Sequence, residues 1–387
     1  MSAHTHEQTV AEVVAVLRRH ARQVDAEARF PAEGMQALRD SGLLGLLVPR
    51  VYGGLGCGLD CLVRIAAELA GGCLSTALVW AMHCQQTDVV ARHGSEELRA
   101  ELLPRIAAGK EYLASVTTEA AKGGHLLTAL TPLRTDDMLL RIERDAPVVT
   151  GGTAADGFLI TMRAGEDAAP HEVSLVYASR DQVAVDVVGT WNPLGMRGTH
   201  SPGLKLSGGI PPGQVIGAPG EFRDIALESM IPLAHLGWSA CWLGAARGLM
   251  RELVAAVRDR SWPVDLASDL LRERLARIRV DLELVSGYLF QVCTEVRQAR
   301  ADGRSLGGPA EQIHLNVLKV AASELTFRAA DRMMQLAGLS RGYTGDSPVP
   351  VERVFRDLRS AALNNSNDRL LIAIGALVPM DRSVRLL

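Results

Sequence analysis

The stretch Trp191 to Gly217, WNPLGMRGTHSPGLKLSGGIPPGQVIG, divides the chain into two kinds of structure. Before it, β-branched runs alternate with glycine and acidic turns. Val173-Ser174-Leu175-Val176-Tyr177 is one such run and Pro147-Val148-Val149-Thr150 another. Val183, Val185 and Val187 face one way while Gln182, Ala184 and Asp186 face the other, the period of a half-buried strand. This character begins at Tyr112 and predicts a small barrel or sandwich.

After Phe222 the period changes to three and four. Leu271, Leu275, Ile278, Leu282, Val285 and Leu289 form a seam that an antiparallel neighbour must bury. Met250, Leu253, Val254 and Val257 supply one facing stripe; Leu318, Ala322, Leu325, Ala329, Met333 and Leu336 supply another. A four-helix bundle is expected.

Toward the N-terminus, Val10, Val13, Val14, Leu17, Ala21 and Val24 draw one helix face, and Pro31 opens a second helix. Ser41 to Gly58 is too rich in glycine for a helix and reads as a loop. Helical patterns resume from Cys61 to Gly109, broken at Gly71-Gly72 and His93-Gly94. Gly54-Leu55-Gly56-Cys57-Gly58 is close to a dinucleotide fingerprint, but the sixth position is Leu59 and no strand precedes it, so that reading fails. The fold class is α+β, with an N-terminal helical domain over 1–111, a β-barrel domain over 112–222 and a helical bundle domain over 223–387.

Composition narrows the function. The 387 residues carry a net charge of -3, which gives no general attraction to nucleic acid or anionic lipid. No apolar run reaches the ~18 to 20 residues a membrane span requires, and the N-terminus lacks a signal-peptide pattern, so a cytoplasmic protein is expected. The six cysteines, Cys57, Cys61, Cys73, Cys84, Cys241 and Cys293, show no C-x-x-C spacing and read as free thiols. Adjacent His83-Cys84 lies in a hydrophobic helical stretch and reads as core, so no metal site is expected.

Trp191-Asn192-Pro193-Leu194-Gly195-Met196-Arg197-Gly198-Thr199 resembles the W-x-x-L-G-M-R-[GA]-[ST] signature of the acyl-CoA dehydrogenase family, where a strand leads out of a barrel. The order helical, β, helical bundle resembles that family over nearly the whole chain. The resemblance implies FAD between barrel and bundle, completed by a neighbouring subunit in a homotetramer or homodimer. It also implies an acyl-CoA or acyl-carrier-protein substrate and an electron-transfer or flavin reductase partner.

Residue by residue, Val116-Thr117-Thr118-Glu119 matches the family's V-T-E strand end, so Thr117 and Thr118 are implied at the flavin edge. Where the family continues with P-x-x-G-S, this chain has Ala120-Ala121-Lys122-Gly123-Gly124, leaving backbone amides such as that of Gly124 for phosphate. Val148-Val149-Thr150 stands where the family has W-I-T: Thr150 is kept as a flavin contact and the ring-covering tryptophan is lost. Arg260 matches an arginine that reaches a partner's pyrophosphate, a task suited to a guanidinium fork. Gln335-Leu336-Ala337-Gly338-Leu339 resembles the Q-x-x-G-G loop that receives adenine, with Gln335 and Gly338 as its contacts.

Removing a proton next to a thioester carbonyl requires a carboxylate of raised pKa in a dry pocket. Pro350-Val351-Glu352-Arg353-Val354-Phe355-Arg356-Asp357 fits the P-x-E-x-x-x-R-D motif, and counting on to the family's glutamate lands on Asn365, within Leu363-Asn364-Asn365-Ser366-Asn367-Asp368. Asn367 joins the flavin contacts there. The other position the family uses for its base is Met230. Two displaced carboxylates remain as candidates: Glu228, two residues before Met230, and Asp368, a helical turn from Asn365 if that segment is helical. α,β-Oxidation of an acyl thioester is the family's usual chemistry. Flavin monooxygenases that resemble this family need no such base, and a flavin-binding member without redox activity is the third reading. Among His83, His125, His200 and His235, the last sits one turn from Trp238 on the helix expected to face the flavin.

Overall fold

The structure is a computed structural model that describes residues 3–121, 125–259, 261–262, 264–382 and 384–387, with side chains from residue 7 onward. Three segments follow one another. The first is helical: α1 (Ala3–Glu27), α2 (Ala32–Asp40), α3 (Leu59–Ala70), α4 (Leu74–His93) and α5 (Glu96–Ala107). Val10, Val13, Leu17, Ala21 and Val24 are all buried, so the three-four spacing is the core face of α1. The breaks between α3, α4 and α5 fall at the paired glycines and at Gly94.

The β segment contains β1 (Leu113–Val116), β2 (Arg134–Asp136), β3 (Leu139–Ala146), β4 (Gly157–Arg163), β5 (Val173–Ser179), β6 (Val183–Val188), β7 (Gly203–Ile210) and β8 (Val215–Ile216). They form two four-stranded sheets, ordered β1-β4-β5-β8 and β2-β3-β7-β6. β4 and β5 are buried along nearly their whole length and read as continuous apolar runs. In β6 only Val183 is buried and Val187 is 55% exposed, so the alternation is real in direction but only its first residue reaches the core.

Two expected strands are not strands. Pro147 to Thr150 is a connection after β3: pairing stops at Ala146, where Val149 turns into the core and donates its amide to Pro202 O. Trp191 to Thr199 is a loop closing in a 3₁₀ turn at Arg197–Thr199. Met196 and His200 both have positive φ, 55° and 39°, which no strand accommodates. This loop docks on the far helical segment instead. A Cβ on Gly195 would lie 2.1 Å from Arg356 O, and the Met196 amide donates to Asp357 Oδ1 at 2.5 Å.

The last segment starts with α6 (Phe222–Ile225) and a π-helical turn at Ala226–Met230, then continues through α7 (Ile231–Arg258), α8 (Asp269–Ala301), α9 (Pro309–Gly342), α10 (Val351–Arg359) and α11 (Asn367–Leu377). Leu271, Ile278, Leu282, Val285 and Leu289 are buried against neighbours, as their spacing predicts. α7, α8 and α9 pack on one another, and the short α10 and α11 both pack along α9. α3 crosses α7 so closely that a Cβ on Gly244 would meet Ala67 O at 2.1 Å. Among the described residues, no helix is long and apolar enough to cross a membrane.

Candidate functional site

A cleft of about 420 Å³ opens where the β1 end, α4, the start of α7 and the turn before α11 meet. The β side contributes Ser115, Thr117, Thr118, Val148 and Thr150; α4 contributes Met82 and Gln85. From α7 come Ile231, Ala234, His235 and Trp238, preceded by Met230, and the far wall is Leu363 to Ser366 with Arg369. Among these lining residues there is no aspartate or glutamate, and Arg369 is the single permanently charged one.

The π-helical turn that delivers Met230 is held by side chains from other elements. Gln85 Nε2 donates to Met230 O at 2.6 Å, His93 Nε2 and Ser229 Oγ are 2.9 Å apart, and Arg300 Nη2 donates to Glu228 O at 3.1 Å. A widened turn leaves backbone groups that α-helical bonding does not satisfy; Gln85 and Arg300 serve two such carbonyls, while His93 holds the Ser229 side chain. Glu228 itself does not line the cleft. Its Oε1 accepts from Ser305 Oγ at 2.6 Å and from the Leu306 amide at 3.0 Å, which anchors the α8–α9 connection.

The far wall hangs on Lys319, whose side chain is fully buried. Its Nζ donates to Asn365 O at 2.9 Å and to Asn367 Oδ1 at 2.7 Å, and lies 5.7 Å from the centroid of the Trp242 ring. Burial disfavours the ammonium and brings its pKa down to about 8. Asn367, expected at the flavin, is instead buried and spends its amide on Lys319, Ser323 and Glu324. Asn365 does line the cleft, with φ 50° in the left-handed region. Residues 361–366 are turn rather than helix, so Asp368 sits in the first turn of α11, exposed and outside the cleft lining.

Thr118 Oγ1 donates to Val148 O at 2.8 Å, which fixes its rotamer while its lone pairs remain for a ligand. Below it, Glu119 is buried with Arg144 Nη1 2.9 Å away and accepts from the Leu130 and Thr131 amides at 2.9 and 2.8 Å. Burial works against that carboxylate, but these bonds outweigh it and hold its pKa below the usual range. The strand end is thus pinned at the point where Thr117 and Thr118 face the cleft.

His235 is 1% exposed. Its Nδ1 lies 3.0 Å from Leu315 O and must carry the proton, since a carbonyl only accepts. Burial lowers its pKa to about 4, so the ring is neutral at ordinary pH. Trp238 lies beside it, ring centroids 6.1 Å apart and planes tilted by 41°, and Trp238 Nε1 is buried without a partner among the described residues. The other histidines serve structure: His83 accepts the Leu113 amide and meets Leu44 O, and His200 Nδ1 is 2.9 Å from Thr153 Oγ1. His125 is exposed. Among the described residues no group of His, Cys, Asp and Glu could hold a metal, and all six cysteines are free, with Cys57 and Cys61 only partly buried.

Gly124 and Arg260 lie outside the described residues. Gln335 is exposed with its amide on Asp331 Oδ2 at 2.7 Å, and Gly338 breaks α9 with φ 69° and open space around it. Both sit on α9 and line no part of the cleft. Sequence reasoning missed Lys319, Gln85 and Arg369. Only Lys319 left a signal: a lysine one residue from Leu318 in a stripe that is otherwise buried.

A model of the acyl-CoA dehydrogenase N-terminal domain matches residues 4–110, and one of the C-terminal domain matches residues 226–376. The chain belongs to the acyl-CoA dehydrogenase family. Members of this family are FAD-binding flavin oxidoreductases. A probable acyl-CoA dehydrogenase of Mycobacterium tuberculosis is 24% identical over 355 residues, 91% of this chain and 88% of the relative. The isobutyryl-CoA dehydrogenase of Dictyostelium discoideum is 23% identical over 355 residues, 90% and 81% of the two chains. In fold, this family member is similar to a Paenibacillus protein solved with FMN and indole, TM-score 0.86 at 22% identity over 98% of each chain. It is equally similar to butyryl-CoA dehydrogenase of Megasphaera elsdenii, TM-score 0.84 at 17% identity over 98% and 99%.

The cleft of this family member fits a flavin ring. Met82, Met230 and Ile231 offer apolar surface for its faces, Ser115, Thr117, Thr118 and Thr150 offer hydroxyls along one edge, and Trp238 Nε1 is a buried donor with no protein partner.

Proposed function

We propose that this chain is a flavin-dependent monooxygenase built on the acyl-CoA dehydrogenase fold. One observation carries the reading: no carboxylate lines the cleft, and the family's base position is Asn365, an amide whose main-chain carbonyl is tied to Lys319. An amide does not accept a proton at ordinary pH, so abstraction from a carbon next to a carbonyl has no agent here. Neutral His235, at a pKa of about 4, is too weak a base to replace a carboxylate tuned upward.

When bound, reduced flavin supplies two electrons to oxygen, so that one oxygen atom enters the substrate and the other leaves as water. The chain's own residues then have a different task from a dehydrogenase's. Met82, Met230, Ile231 and Trp238 exclude water from the cleft, Thr117, Thr118 and Thr150 orient the ring, and the Lys319 bonds keep the far wall closed. Reduced flavin would come from a separate reductase or electron-transfer partner. Exposed Gln335 and half-buried Gly338, both away from the cleft of their own chain, suit a second copy of the chain, as a homodimer or homotetramer with FAD shared between subunits.

A second reading, α,β-oxidation of an acyl thioester on CoA or a carrier protein, is favoured by the names of the curated relatives. An anaerobic visible spectrum decides between them. Protein loaded with FAD is expected to stay oxidised through a panel of acyl thioesters and to consume oxygen only once reduced by a reductase; bleaching by any thioester would sink the oxygenase reading.

A further inference from the structure

His235 has two ring nitrogens and, among the described residues, one hydrogen-bond partner. Nδ1 is committed to Leu315 O, across from α7 to α9, and this bond fixes both the tautomer and the ring plane. In that tautomer Nε2 carries a lone pair and no proton. Among the described residues no hydrogen bond to it is seen, and the residue, 1% exposed, is one of those lining the cleft. An acceptor on the wall of a largely apolar cleft gains from a ligand donor that meets it.

The surroundings set the shape of that ligand. Trp238 lies beside His235 with ring centroids 6.1 Å apart, and Leu126 and Ala234 add apolar surface that the flavin faces do not use. An indole packs well against flat aromatic rings.

We propose that His235 Nε2 is a substrate-recognition group, accepting a hydrogen bond from an N–H or O–H on a flat aromatic substrate. The proposal rests on the oxygenase reading for what becomes of the substrate, but its binding is measurable without turnover. Because the imidazole stays neutral down to a pKa of about 4, Nε2 remains an acceptor over the whole working range.

The test uses matched probes that differ only in the donor: indole against 1-methylindole, and phenol against anisole. Each is titrated into FAD-loaded protein and followed by the change in the flavin's visible spectrum. Wild type should bind the donor-bearing member of each pair about tenfold more tightly, the worth of one buried hydrogen bond with its partner left unmet in the analogue. In His235→Asn the amide nitrogen overlays Nδ1 and keeps the bond to Leu315 O, while nothing replaces Nε2. That variant should lose the preference and retain its melting temperature and FAD affinity. Equal affinity within each pair for wild type overturns the proposal, and needs no variant to fold. So does a variant that keeps the preference, or one that loses FAD affinity instead, since His235 would then hold the flavin. Bleaching by a thioester would fell the oxygenase reading and leave the probe ratio to judge this one.

Discussion

Met196 donates its amide to Asp357 Oδ1 at 2.5 Å across 161 residues, and Arg356 beside it pairs with Asp25 of α1 at 2.6 Å. The loop before β7, the first helix and α10 therefore meet at one point. Asp357 is 4% exposed, and its burial, helped by the nearby Asp25 charge, raises its pKa to about 7. Folded protein keeps this proton up to about pH 7, whereas the unfolded chain releases it near 3.8. The folded state binds more protons in that window, so this group's contribution to stability is present below about pH 4 and is lost as pH rises to 7. Asp357→Asn keeps the acceptor and should remove that loss: urea midpoints of the variant relative to wild type should rise between pH 4.5 and 7.5. Asp357→Ala orphans the Met196 amide and should cost about 1–3 kcal/mol throughout.

The α3–α7 crossing depends on Gly244. A Cβ there would lie 2.1 Å from Ala67 O, while Gly375 on α11 has nothing within 4 Å. Gly244→Ala should lower stability by about 1–3 kcal/mol through overpacking. Gly375→Ala, the control, should be neutral or slightly stabilising by reducing the freedom of the unfolded chain. Thermal melts of the pair check both.

Neither displaced carboxylate should matter to turnover. Glu228 is spent on Ser305 and Leu306, and Asp368 is exposed outside the cleft lining. Glu228→Gln and Asp368→Asn should each keep kcat within about twofold of wild type. A loss of about a hundredfold or more in either, the usual worth of a general base, would restore it as the base.

Lys319 should matter to flavin without touching the cleft. Lys319→Met leaves Asn365 O without its lysine donor and Asn367 Oδ1 with Ser323 Oγ alone, at about 1–3 kcal/mol. The melting temperature should drop, and FAD affinity, read by fluorescence quenching, should fall about tenfold as the 363–366 wall loosens.

The helices were legible because their spacing is a direct record of burial: the stripe of α1 and the seam of α8 point where the sequence says. The strands were legible as a region but not individually. Pro147 to Thr150 has strand composition, yet its ladder stops at Ala146, because β-branched residues also suit a buried extended connection. Of the site, Thr117, Thr118, Thr150 and Asn365 could be placed in the cleft from motif position alone, as could His235 and Trp238 from a one-turn spacing. Glu228, Asp368 and Asn367 could not, because where a side chain points depends on partners such as Ser305 or Lys319 that lie far away in sequence. The π-helical turn at Ala226–Met230 added to this, since a widened turn changes which residue faces the cleft without any mark in composition.

Asn365 adopts φ 50°. Asparagine visits that backbone region far more readily than glutamate, whose longer side chain gains nothing from local bonding there. An Asn365→Glu substitution would thus meet resistance from the main chain itself, with its carbonyl held by Lys319. The turn constrains its own residue: a glutamate at this position would require a remodelled 361–366 turn as well as a changed side chain.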